Sequence, residues 1–143
     1  MTQSLAVAVA GLGSIGLRGA RALDEGVTGF RLAAVASSSV ARAEAAVSGF
    51  RSTPRVAALD ALPQGADIVI ECLPPAVFPV LAEHVFASAP SYFLVVSAGA
   101  LLSADDIATR AAAAGVRVVV PSGAVSGLDS LRAAREIGLK TVR

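Results

Sequence analysis

Cysteine, histidine and aromatic side chains are almost missing from this sequence. Its 143 residues include one cysteine, one histidine, one tyrosine and no tryptophan, and aromatics make up 4%. A lone Cys72 excludes a disulfide framework and any cysteine-based metal spacing, and it leaves a reducing cytoplasm as the default compartment. Net charge is +1 and the basic residues are scattered singly, so there is neither a basic stripe nor an aromatic platform for nucleic acid. The longest uncharged stretch, Val85 to Ala104, is cut by Pro90, several serines and Gly99. It reads as a helix end, a turn and a strand, and not as a membrane span. The apolar opening from Met1 to Ala10 lacks a basic start and runs straight into Gly11, Gly13 and Gly16, which suits no signal peptide.

What is abundant is apolar surface. Hydrophobic residues account for 55% of the chain and charged ones for 16%. A single domain of this length buries about two-thirds of its unfolded surface. The excess implies that another domain or subunit covers part of the exterior, and a homo-oligomer is expected.

Strand and helix patterns alternate along the chain. Leu5 to Ala10 reads as a strand, and Ser14 to Asp24 as a helix with Ile15, Ala20 and Leu23 on one side. Arg31 to Ala36 is a second strand, Val40 to Val47 an alanine-rich helix, Arg55 to Ala58 a short strand and Leu59 to Leu62 a helical turn. Asp67 to Cys72 is a strand stopped by Pro74 and Pro75, followed by a helix over Ala76 to Ala87 and a buried strand over Tyr92 to Ser97. Ser103 and Asp106 form a variant capping box before a helix reaching Ala114. Val116 to Val120 is a last strand, and Gly127 to Ile137 a last helix. Strands apolar on both faces and separated by helices belong to a mainly parallel, doubly wound α/β sheet with helices on both sides, the Rossmann arrangement.

Gly11-Leu12-Gly13-Ser14-Ile15-Gly16 follows the first strand and opens the first helix. In that context G-x-G-x-x-G is a dinucleotide fingerprint. Gly11 permits the tight turn, Gly13 lets a pyrophosphate approach the backbone, and Gly16 lets helix and sheet pack closely. The helix N-terminus supplies free N–H groups and a positive dipole end. NAD-selective domains place an acid about 20 residues past this loop. Here the second strand ends in Ser37-Ser38-Ser39, with Arg42 close behind and no acid until Glu44. Hydroxyls plus a guanidinium suit a 2′-phosphate, so the expected cofactor is NAD or NADP, with NADP tolerated or preferred.

In an open α/β sheet, ligands lie outside the carboxyl ends of the strands. The later strands end in Glu71-Cys72-Leu73-Pro74-Pro75, Ser97-Ala98-Gly99-Ala100 and Pro121-Ser122-Gly123-Ala124, small or turn-forming residues that leave room for a nicotinamide and its ribose. Glu71 is placed to bond a ribose or backbone, or to cap the following turn. Cys72 reads as a small buried residue and not a nucleophile, because no base lies near it in sequence. His84, mid-helix, reads as a surface or interface residue and a poor choice for a catalytic base.

These segments resemble the N-terminal domain of the L-aspartate dehydrogenase family. The resemblance is carried by Gly-Leu-Gly-Ser-Ile-Gly at 11–16, Glu-Cys-Leu-Pro-Pro at 71–75, Val-Val-Ser-Ala-Gly-Ala-Leu at 95–101 and Val-Pro-Ser-Gly-Ala-Val-Ser-Gly-Leu-Asp-Ser-Leu at 120–131. It implies oxidative deamination of L-aspartate to oxaloacetate and ammonia through an imine, with NAD or NADP, in the service of NAD biosynthesis. It also implies that the glycine loop holds pyrophosphate, and that Ala124 meets the cofactor near its nicotinamide end. Pro74, Ser97, Ala98 and Gly99 would line the same channel, and Cys72 and Leu73 beside Pro74 join the candidate cofactor-binding residues.

Family members continue into a substrate domain that carries the catalytic histidine and most groups that bind the dicarboxylate. Here residues 1–137 read as the dinucleotide domain and Gly138 to Arg143 as the opening of that second domain, so no catalytic residue and no metal ligand is assigned. A small amino-acid substrate would bind only with the second domain. Two alternatives share the fold. One is the cofactor domain of a homoserine dehydrogenase, a dihydrodipicolinate reductase or a sugar oxidoreductase. The last of these is disfavoured by Ser-Ala-Gly where many sugar enzymes have Glu-Lys-Pro. The other is a non-catalytic nucleotide-sensing domain.

Overall fold

The computed structural model describes residues 4–122 and Gly138. The expected helix over Gly127 to Ile137, Ala124, and the segment after Gly138 lie outside the described residues. Six strands form one parallel sheet: β1 (Leu5–Ala10), β2 (Phe30–Ala36), β3 (Arg55–Val56), β4 (Ile68–Glu71), β5 (Tyr92–Val95) and β6 (Arg117–Val119). Their order is β3-β2-β1-β4-β5-β6, so the chain winds outward from β1 in both directions. The crevice at the β1/β4 reversal is where this topology places a ligand. Helices α1 (Ser14–Gly26), α2 (Val40–Val47), α3 (Phe78–Ser88) and α4 (Ile107–Ala114) make the crossovers, with a 3-10 helix at Ala98–Ser103.

Alternation along β1 builds two cores. Ala8 and Ala10 face a cluster with Val69, Phe78, Leu81, Phe93 and Val95. Val7 and Val9 face a smaller one with Ala20, Leu32, Val35 and Ala43. In the larger core, Phe78 stacks on Phe93 at 5.9 Å between centroids, and Phe86 meets the same ring edge-on at 6.2 Å. Each such ring removes enough apolar surface to stabilise the fold by about 1.5–3 kcal/mol. On the α1 side, Ile68, Ile70, Tyr92, Leu94 and Val119 line a shallow apolar groove of about 350 Å³.

Three local readings are corrected. The expected capping box does not form. Ser103 ends the 3-10 helix, and Asp106, at the cap position of α4, makes no side-chain capping bond. Its backbone is already helical (φ −90°, ψ −2°), which keeps the carboxylate from swinging over the first amides. That carboxylate instead lies 3.9 Å from Arg110. Strand β5 ends at Val95 and not at Ser97, because the chain turns at once into the 3-10 helix. The helix after β4 starts at Phe78, two residues beyond the expected Ala76, with Pro79 in its first turn.

Candidate functional site

The glycine loop sits where β1, α1 and the end of β4 converge. Gly11 adopts φ +90°, and its N–H donates to the Ala36 carbonyl at 2.9 Å, tying the loop to the end of β2. A Cβ at Gly11 would overlap the Cys72 carbonyl oxygen. A Cβ at Gly16 would overlap the Gly11 carbonyl oxygen and lie 3.1 Å from the Cys72 Cβ. Both glycines therefore answer to backbone that is already in place.

Gly13 is different. A Cβ there would meet nothing within 4 Å, yet Gly13 is the N-cap of α1 and is exposed. No side chain caps α1, and its first turn carries no acid. The first amides and the positive end of the dipole are thus left for an anion, and the space above Gly13 is the space a pyrophosphate needs. Among the described residues, the cradle fits a dinucleotide: filled by backbone where packing demands it, and open where a ligand approaches.

Gly13, Ser14, Ile15, Cys72, Leu73 and Ser97 surround one cleft of about 270 Å³, together with Val96. The sequence reading missed Val96, whose only signal is its place just before Ser97 at the strand end. Leu12 turns away and packs against the smaller core, so it brings only its backbone to the loop. Pro74, Ala98 and Gly99 are exposed farther along the rim. Gly99 opens onto a separate groove of about 440 Å³ between α3 and α4.

Ser37 is half-buried, and Ser38 and Arg42 are exposed, all at the carboxyl end of β2 next to the loop. Ser39 has its own task, capping α2 by accepting the Arg42 N–H at 3.3 Å. The Arg42 guanidinium makes no ion pair with any described residue, and so remains available to an anion.

Glu71 is wholly buried, and its oxygens are bonded within the protein. One accepts the Leu73 N–H at 2.6 Å. The other accepts the Ser97 N–H at 3.1 Å and the Ser97 hydroxyl at 2.6 Å. Of the roles open to it, backbone clamping is the one the structure displays. Burial, with Glu71 adding to it, pushes the Cys72 thiol up to about 11, so it carries little thiolate at neutral pH. His84 is half-buried on α3, away from the cleft. No helix among the described residues is long and apolar enough to cross a membrane.

Comparison with known proteins agrees with this geometry. The chain is 42% identical over 133 residues to an L-aspartate dehydrogenase of Bradyrhizobium diazoefficiens, covering 93% of this chain and 47% of that protein. It is 37% identical over 142 residues to L-aspartate dehydrogenase 3 of Bordetella bronchiseptica, covering 99% of this chain and 52% of that protein. It thus spans about half the length of these relatives. A myo-inositol dehydrogenase from Lactobacillus casei, solved with NAD(H) and myo-inositol, superposes with a TM-score of 0.77. The match covers 96% of this chain and 42% of that one, at 20% identity, a likeness of fold alone. Residues 11–121 match the family of the homoserine dehydrogenase NAD binding domain. The chain belongs to that family and is an NAD-binding domain of the Rossmann type.

Proposed function

We propose that this chain is the cofactor half of an L-aspartate dehydrogenase. The observation that carries the reading is the glycine cradle, closed at Gly11 and Gly16 and open at Gly13 beneath an uncapped helix. The identity to aspartate dehydrogenases over nearly the whole chain supports L-aspartate as the substrate. The chemistry a bound dinucleotide supplies is acceptance of a hydride, which would oxidise L-aspartate to an imine and release oxaloacetate and ammonia on hydrolysis. In the cell that reaction would serve NAD biosynthesis.

In this reading the amides of Ser14, Ile15 and Gly16 hold the pyrophosphate. Ser37, Ser38 and Arg42 receive the adenosine ribose, and the exposed guanidinium makes NADP tolerated or preferred. Cys72, Leu73, Pro74, Ser97, Ala98 and Gly99, with Ala124, line the nicotinamide side. Residues 1–137 make the cofactor domain and residues 138–143 open the substrate domain. That second domain holds the amino acid and the proton-transfer group, since hydride transfer needs donor and acceptor fixed at near-attack distance. The 55% hydrophobic composition supports burial against another domain or a second copy in a cytoplasmic homo-oligomer.

Parallel calorimetric titration of the chain with NADP⁺ and NAD⁺ tests the cofactor assignment. NADP⁺ is expected to bind at least as tightly as NAD⁺, and Arg42→Ala to weaken NADP⁺ alone by about tenfold. Equal losses for both dinucleotides would mean that Arg42 does not read the 2′-phosphate, and no loss for either would remove it from the site. Assay of the longer protein with L-aspartate, against homoserine and polyols as competitors, tests the substrate.

A further inference from the structure

Glu71 is the one fully buried charged side chain among the described residues. A charge so placed is retained only where it is fully hydrogen-bonded. The Leu73 and Ser97 amides can only donate, so both oxygens of the carboxyl group serve as acceptors. The Ser97 hydroxyl has a single proton and directs it inward, 2.6 Å from Glu71 Oε2. What remains of that hydroxyl is lone pairs, and Ser97 lines the cleft beside Gly13 and Leu73.

We propose that Glu71 is a positioning residue that makes Ser97 a pure hydrogen-bond acceptor, through which the cleft selects a donor on the nicotinamide half of the dinucleotide. This rests on the reading of the chain as an NAD(P)-binding domain. The position follows from topology. With pyrophosphate at the N-terminus of α1 and adenosine toward β2, the nicotinamide half lies over the ends of β4 and β5. Its donors are the carboxamide N–H₂ and the ribose hydroxyls.

Three dinucleotides separate these donors in calorimetric titrations of the full 143-residue chain. They are NAD⁺, its 3-acetylpyridine analogue, in which a methyl replaces the carboxamide N–H₂, and NAD⁺ lacking the 2′-hydroxyl on the nicotinamide ribose. Wild type is expected to bind NAD⁺ about tenfold more tightly than the analogue whose missing group faces Ser97. Ser97→Ala should bring that ratio close to one, and Ser97→Thr, which keeps a hydroxyl, should restore it. Glu71→Leu should also collapse the ratio with Ser97 intact, because without an acceptor at 71 the serine proton is free to turn outward. A purely structural Glu71 would instead weaken all three ligands by one factor and keep the ratio, which overturns the positioning role. If Glu71→Leu does not fold, the Ala and Thr variants at 97 still decide whether Ser97 selects a donor. Wild type binding all three equally would sink this inference alone, whereas wild type binding none would sink the cofactor reading as well.

Discussion

Substituting alanine at Gly13 and at Gly16 should separate packing from binding within one hexapeptide. At Gly16 the new methyl would overlap the Gly11 carbonyl oxygen and sit 3.0 Å from its carbon, both backbone atoms that cannot rotate aside. Helix α1 must then move off the loop, and overpacking of this kind costs about 1–3 kcal/mol. For a domain of this size each kcal/mol lowers Tm by about 4 °C, so Gly16→Ala should melt about 4–12 °C early. At Gly13 the methyl meets nothing within 4 Å, and the residue has an ordinary negative φ of −77°. Gly13→Ala should therefore melt within about 2 °C of wild type, the small loss reflecting alanine as a poorer N-cap than glycine. Its methyl, however, stands in the space assigned to the pyrophosphate, and dinucleotide affinity should fall tenfold or more, about 1.4 kcal/mol. Differential scanning fluorimetry and calorimetric titration on the same samples read both quantities. If Gly13→Ala binds as wild type does, the open cradle is not where the cofactor lies, whatever Gly16→Ala does to stability.

Other expectations follow from the packing and the titratable groups. Phe93 contacts two other rings from a position with no exposure, so Phe93→Ala should cost about 3–5 kcal/mol in chemical denaturation; a loss under about 1 kcal/mol would contradict the stacked core. With its thiol pushed up to about 11, Cys72 should alkylate slowly at pH 8 and accelerate only as pH approaches that value. Because the folded thiol holds its proton above the unfolded value near 9.0, stability should be full below that pH and decline between there and about 11. Cys72→Ala should flatten this decline. Asp24 is held below its usual range. Desolvation works to raise it, but hydrogen bonds from Ser52 and the Arg51 amide prevail. Its contribution is present above pH 3.8 and fades as pH falls, so the Tm gap between wild type and Asp24→Asn should narrow in acid. A gap unchanged by pH would mean that the clamp does not depend on the charge.

Much of the fold was legible because its signals are local. Leu5–Ala10 and Val40–Val47 match their expected bounds to the residue, one an apolar run ended by Gly11, the other an alanine helix opened by a serine cap. The strand ends were overshot at β3, β4, β5 and β6, where ladder length depends on a partner strand and not on the residues themselves. The 3-10 helix at Ala98–Ser103 went unread for a related reason. It forms because Ala100 and Leu101 find the larger core, a tertiary fact that the turn-like Ala-Gly-Ala does not announce. At the site, the glycine loop could be read because its roles belong to backbone geometry. The partners of Glu71 could not, since Ser97 stands 26 residues away and joins it only once β4 and β5 are paired in register, with Glu71 opposite Val95.

Glu71 and Cys72 tie the glycine loop to the rim of the later strands. Gly11 and Gly16 both leave room for Cys72, since a Cβ on either would meet its carbonyl or its Cβ, while Glu71 beside it grips Leu73 and Ser97. The pyrophosphate cradle and the nicotinamide side of the cleft thus share one rigid support at the end of β4. A side chain larger than cysteine at 72 would push against α1 at Gly16 and, through the backbone, displace the carboxylate that sets Ser97. Small size, and not thiol reactivity, is what this position requires. A thiol pushed far above neutral pH by its own burial is what such a requirement leaves behind.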